Sequence, residues 1–143
     1  LGGFDRPLPA ANWPSREDIL WLLPATWGVN RADVYSFDDA TPFPELFACA
    51  DAALAKPGYG TFVEAAVQQV PLLYLRRPDW PEEACLTEWM HRHGRARELS
   101  REEAESGALL PALDGLWALP TPRPPTADGA HEAAERLLRL MGC

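Results

Sequence analysis

The residues best suited to chemistry lie in one short turn, Lys56-Pro57-Gly58-Tyr59-Gly60-Thr61, followed by Phe62-Val63-Glu64. Two glycines let the main chain come close to a ligand and adopt positive φ. A helix expected from Phe62 to Gln69 would aim its unpaired N–H groups and the positive end of its dipole into the same space. That combination binds an anion. The anion must overcome the mean field of a chain with net charge −8. Charges more than ~8 Å away are screened at physiological ionic strength, so the local amides prevail.

The identity of the anion is constrained by what the turn lacks. GYGTFV supplies the first two glycines of the dinucleotide pattern GxGxxG but has Val63 at the third. The lysine precedes the glycines, whereas a phosphate loop of the Walker type needs it after them, so ATP by that route is excluded. Thr61-Phe62-Val63-Glu64 leaves two readings open. In one, Thr61 and Glu64 form a capping box at the helix start. In the other, Glu64 stands one helical turn beyond the phosphate-binding amides and accepts hydrogen bonds from ribose hydroxyls. Both roles compete for one carboxylate.

Other chemistry-bearing residues are scattered. Arg76 and Arg77 fall at the carboxyl end of an expected strand, where they reach a phosphate or sit in a solvated loop. Asp79, Glu82 and Glu83 read as a helix start, with Asp79 as N-cap, Pro81 in the first turn and the glutamates complementing the dipole. His91 and His93 stand two apart on an expected helix and point in different directions, so no metal pair is expected. His131 is isolated, and no Ser/His/Asp or Cys/His set can be assembled. Neither a metal nor a cofactor is expected.

These residues need a scaffold, and the pattern of the chain supplies one. Short apolar or alternating runs at Ile19–Leu23, Asp33–Phe37, Ala52–Ala55 and Leu72–Leu75 suit buried strands, with Arg97–Leu99 as an edge strand. Helical patterns cover Phe43–Ala50, Phe62–Gln69, and the stretch from Asp79 to a stop at Gly94. Two short helices parted near Gly107 follow within Arg101–Leu119, and a last helix spans about Asp128–Met141 with an apolar side. The prolines gathered between Pro120 and Pro125 make one stiff connection. Strands alternating with helices predict an α/β fold, a Rossmann-like parallel sheet with helices on both faces.

The 143 residues fit a single domain, 1–143, and their composition, 47% hydrophobic and 24% charged, predicts a packed core. The negative balance argues against nucleic acid and anionic membranes as partners, since both require clustered Lys and Arg. No apolar stretch approaches the length of a transmembrane helix. Cys49, Cys85 and Cys143 are odd in number and widely spaced, which fits reduced thiols and a cytoplasmic location. The opening Leu1-Gly2-Gly3 reads as the end of a strand, as in a piece of a longer protein.

The stretch ADAALAKPGYGTFVEAAVQQVPLLYLRR, residues 50–77, resembles the donor-site motif of GT-B glycosyltransferases. The likeness extends to the peptidoglycan N-acetylglucosaminyl transferase, the monogalactosyldiacylglycerol synthases and the transferase-like region ahead of some plant sugar kinases. It rests on an Ala-Asp before a strand, a glycine turn, a Thr three before a Glu, and a Pro opening the next strand, within Ala50–Glu83. Leu1-Gly2-Gly3 is similar to the glycine turn after the first strand of that domain. The resemblance implies one half of a GT-B architecture, the C-terminal donor-binding domain of an inverting, metal-independent enzyme using a nucleotide sugar, with uridine as the expected base. It implies that Gly58, Tyr59, Gly60 and Thr61 hold the diphosphate through amides and that Glu64 holds the ribose. Asp79, Glu82 and Glu83 fall where those transferases carry Asp-Gln or Gln-Gln pairs for the sugar hydroxyls, a departure from the pattern. Phe37 is a candidate for the base, against a plain core role. The acceptor-binding N-terminal domain would be a separate partner, and the domain alone would bind without turnover. The alternative is a non-catalytic nucleotide-sugar-binding or regulatory module, fused to a sugar kinase in some relatives. An epimerase of the same architecture is a more distant third.

Overall fold

The computed structural model describes residues 8–142 except Asp39 and Pro78. Leu1-Gly2-Gly3 and Cys143 lie outside the described residues. After a short 3-10 turn at Ala10–Asn12, the element order is β1 (Trp21–Pro24), a 3-10 turn at Ala25–Trp27, β2 (Val34–Phe37), α1 (Phe43–Ala48), β3 (Ala53–Ala55), α2 (Tyr59–Gln68), β4 (Leu72–Tyr74), α3 (Glu83–His93), β5 (Ala96–Glu98), α4 (Arg101–Ser106), α5 (Leu109–Trp117) and α6 (Gly129–Met141). The fold is α/β, with parallel strands flanked by helices, consistent with a small Rossmann-like domain.

The period-two alternation of β4 divides the core into two layers. Leu73, with Leu75 just beyond the strand, packs with Trp13, Leu99, Leu109, Leu113 and Leu116, under α4 and α5. Leu72 and Tyr74 face the other way and pack with Phe62, Ala66, Leu86 and Met90, under α2 and α3. β4 is buried along its whole length, as a central parallel strand covered on both faces must be. Gly94 ends α3 where α2 presses in, and a Cβ there would stand 3.5 Å from Ala66 Cα and 2.4 Å from Met90 Cε.

The strands form two sheets, β1-β2 and β3-β4-β5, among the described residues. Both are parallel, with Trp21 opposite Val34, Ala53 opposite Leu72, and Leu72 opposite Ala96. An ion pair helps hold the smaller sheet. Arg31 meets Asp33 at 2.5 Å, donates to the carbonyls of Ala10 and Trp13, and thereby fastens the first described residues to the start of β2. The guanidinium holds the Asp33 carboxyl down at about 2.

α4 carries a full capping box, with Ser100 accepting from the Glu103 amide and the Glu103 carboxylate accepting from the Ser100 amide. α6 has the amphipathic pattern expected of it, yet none of its residues is buried. Leu137, Leu138, Leu140 and Met141 are exposed.

Candidate functional site

β3 ends at Ala55, and the chain passes through Lys56 and Pro57 to Gly58, the N-cap of α2. This is the carboxyl end of a parallel strand next to a helix N-terminus, the position at which open α/β sheets receive ligands. Gly58 is extended, with φ −167° and ψ 137°. Gly60 is the second residue of the helix, and neither glycine has positive φ. The expected left-handed turn is therefore corrected. The glycines contribute absence of bulk, since a Cβ on Gly60 would meet nothing within 4 Å.

The helix begins earlier than expected, at Tyr59 rather than Phe62, and this settles the competition at Thr61. Phe62 N–H bonds Gly58 O at 3.0 Å. Helix geometry leaves the amides of Tyr59, Gly60 and Thr61 without intrahelical acceptors, and no side chain caps them. Thr61 lies inside the helix, so the capping box with Glu64 does not form. Glu64 instead accepts from Gln68 Nε2 through Oε1. Gly60, Glu64 and Gln68 succeed one another at i, i+4 spacing, so the Glu64 carboxylate shares the face on which Gly60 leaves open space.

The loop after β4 closes one side of this helix end. Arg77 donates to Pro57 O at 3.4 Å, and its guanidinium lies over the Trp80 ring, 5.0 Å from the centroid. Trp80 meets the Tyr59 ring edge-on at 5.6 Å. The Tyr59 hydroxyl donates to Glu82 at 2.9 Å, and that bond to an anionic acceptor raises the Tyr59 pKa. Arg77, Trp80, Tyr59 and Glu82 thus form one chain of contacts that carries a fixed cation to the rim of the α2 N-terminus. Sequence reading missed the coupling of Tyr59 to Trp80 and Glu82, because the contact joins residues from different βα loops.

Two residues grouped with the sugar contacts have other work. Glu83 is 4% exposed. It accepts from Arg76 Nε at 2.8 Å and from the Arg77 main-chain N–H. The carboxylate therefore fixes the loop that presents Arg77. Arg76 pairs with it, and that bond raises the Arg76 pKa. The helix-start reading of this region is also corrected. α3 begins at Glu83, its N-cap is Glu82, no side chain caps it, and Pro81 precedes the helix. Asp79 is exposed beside Trp80.

Phe37 closes β2 and lines an apolar cavity between β1 and β3. His91 bonds the Tyr74 hydroxyl at 3.0 Å, and His93 stacks against Trp89 at 4.8 Å. Among the described residues no group of His, Cys, Asp and Glu is arranged to hold a metal, and no helix is long and apolar enough to cross a membrane. Cys49 and Cys85 are free and exposed. Comparison with protein-family models, with curated proteins and with solved structures gives no match to this chain.

Proposed function

We propose that the chain binds the nucleoside diphosphate of a nucleotide sugar, as the donor-binding domain of a metal-independent glycosyltransferase. The observation that carries this reading is the N-terminus of α2. The uncapped amides of Tyr59, Gly60 and Thr61 and the open space over Gly60 sit at the carboxyl end of β3. Diphosphate oxygens would accept from these amides, with the helix dipole adding a contribution of about 0.3–1 kcal/mol at an exposed site. Arg77 stands at the rim to meet a second phosphate, and Glu64 on the same face accepts from ribose hydroxyls. The same helix end would stabilise charge developing on a departing nucleoside diphosphate, so its loss would slow turnover in the complete enzyme more than it weakens binding.

Glu83 favours the alternative in one respect. Its carboxylate is consumed by Arg76 and the Arg77 amide, which leaves Asp79 and Glu82 as the acidic groups of that loop near the sugar position. A module that binds a nucleotide sugar without transferring it needs no more. Calorimetric titration with UDP, UMP, uridine, GDP, ADP and TDP tests the proposal. Saturable binding of a diphosphate, at least tenfold tighter than the matching monophosphate, is expected. Equal or absent binding of all six sinks it.

A further inference from the structure

Lys56 is the only lysine of the chain, and it stands two residues before Gly58, the N-cap of α2. The next residue, Pro57, is fully buried. That anchors the turn and leaves Lys56, half-buried, at the carboxyl end of β3. Arg77 reaches the same turn from the loop after β4. Its Nη1 donates to Pro57 O at 3.4 Å, one residue along the chain from Lys56, and its guanidinium is held over Trp80. Two cationic residues from different loops are thereby brought to one turn.

The acids of these loops do not neutralise them. The loops after β3 and β4 hold three basic residues, Lys56, Arg76 and Arg77. Among the described residues, only Arg76 has a carboxylate partner, Glu83 at 2.8 Å. The other oxygen of Glu83 accepts from the Arg77 main-chain N–H, Glu82 accepts from the Tyr59 hydroxyl, and Asp79 is exposed. The chain has 21 acidic residues against 13 Lys and Arg, so an unpaired cation does not arise from a shortage of acids. Like charges set close together without counterions favour an anion, because its binding relieves their repulsion.

We propose that Lys56 and Arg77 form a clamp for a pyrophosphate group, Lys56 acting from the side of β3 and Arg77 from the side of β4. The inference rests on the reading that a diphosphate is received at the N-terminus of α2, and it names the side chains that meet that group. The amides of Tyr59, Gly60 and Thr61 are neutral donors, which a single phosphate would also satisfy. Two cations match the further charge of a second phosphate, so the clamp selects linked phosphates over one. A lysine suits the role, since its ammonium is a compact charge with rotatable donors on a flexible stem.

The single lysine makes the test specific. Reductive methylation with 13C-formaldehyde keeps the charge and gives Lys56 a side-chain methyl signal of its own, apart from that of the chain terminus. On titration with inorganic pyrophosphate, this signal should shift along the same binding curve as the Tyr59, Gly60 and Thr61 amides. Lys56→Met should weaken pyrophosphate and UDP about tenfold and leave uridine unchanged, and Lys56→Arg should restore most of the loss. The melting temperature of Lys56→Met should equal or exceed that of the unaltered chain, because one of two repelling charges is gone. A lower melting temperature with unchanged affinity would make Lys56 a structural residue and overturn the proposal. Equal affinity for orthophosphate and pyrophosphate overturns it as well. A static methyl signal while the three amides shift removes the clamp and leaves the reading of α2 standing, whereas no shift of either at any pyrophosphate concentration overturns both.

Discussion

Gly60→Ala separates a helix residue from a ligand residue, because stability and affinity should move in opposite directions. Gly60 already has helical conformation without positive φ, and an added Cβ meets no atom within 4 Å. Replacing glycine by alanine gains about 0.5–1 kcal/mol in a helix interior and less in the first turn, so the melting temperature should rise by at most about 2–4 °C for a domain near this size. The Cα–Cβ bond of a helical residue tilts toward the helix N-terminus. The new methyl group therefore enters the space in front of the Tyr59, Gly60 and Thr61 amides. A phosphate displaced from one charge-assisted bond loses about 1.5–3 kcal/mol, or at least about tenfold in affinity. Thermal melting and UDP calorimetry on the same preparation read both effects. A variant that melts higher and binds UDP as well as the wild type would refute the placement of the diphosphate over Gly60.

Glu64→Gln keeps an acceptor for Gln68 and so should leave the melting temperature nearly unchanged, while weakening UDP about tenfold and inorganic pyrophosphate not at all. Equal losses for both ligands, measured by calorimetry, would remove Glu64 from the ribose. Glu83→Ala strips the buried partner from Arg76 and the Arg77 amide and should cost about 2–3 kcal/mol in urea unfolding, and a loss below about 0.5 kcal/mol would show that the loop is held by other contacts. The Asp33 carboxyl is depressed to about 2 by Arg31, so the stability from this pair is present above the unfolded value near 3.9 and is lost as pH falls from about 4 toward 2. Asp33→Asn should flatten that part of the stability profile, and an unaltered slope would deny the pair its role. Ser100→Ala should cost about 1 kcal/mol by opening the α4 capping box, checked by the same unfolding experiment.

Most elements were legible because local patterns and tertiary packing agree. The apolar run Leu72–Leu75 could only be a strand covered on both faces, and β4 is one. The capping box at Ser100-Glu103 obeyed the same spacing rule that misled at Thr61-Glu64. There, Gly58 took the N-cap position, and the helix began before Thr61. The sequence pattern cannot distinguish the two cases, since both satisfy the S/T-x-x-E spacing. The glycines were assigned to positive φ on composition, whereas neither has it and Gly60 leaves open space, a property decided by what lies around it. Glu83 was grouped with Asp79 and Glu82 by proximity in sequence. Its burial follows from the path of the loop after β4, which no local pattern specifies. The split between β1-β2 and β3-β4-β5 was illegible for a different reason. Strand patterns fix the faces of each strand, and neighbours across a sheet are set by topology.

If the main-chain donors at the start of α2 receive the diphosphate, amide chemical shifts report it directly. On addition of UDP to the 15N-labelled protein, the Tyr59, Gly60 and Thr61 amides should move downfield together and saturate along one binding curve. Shifts confined to other residues, or no shift at any UDP concentration, would contradict the account.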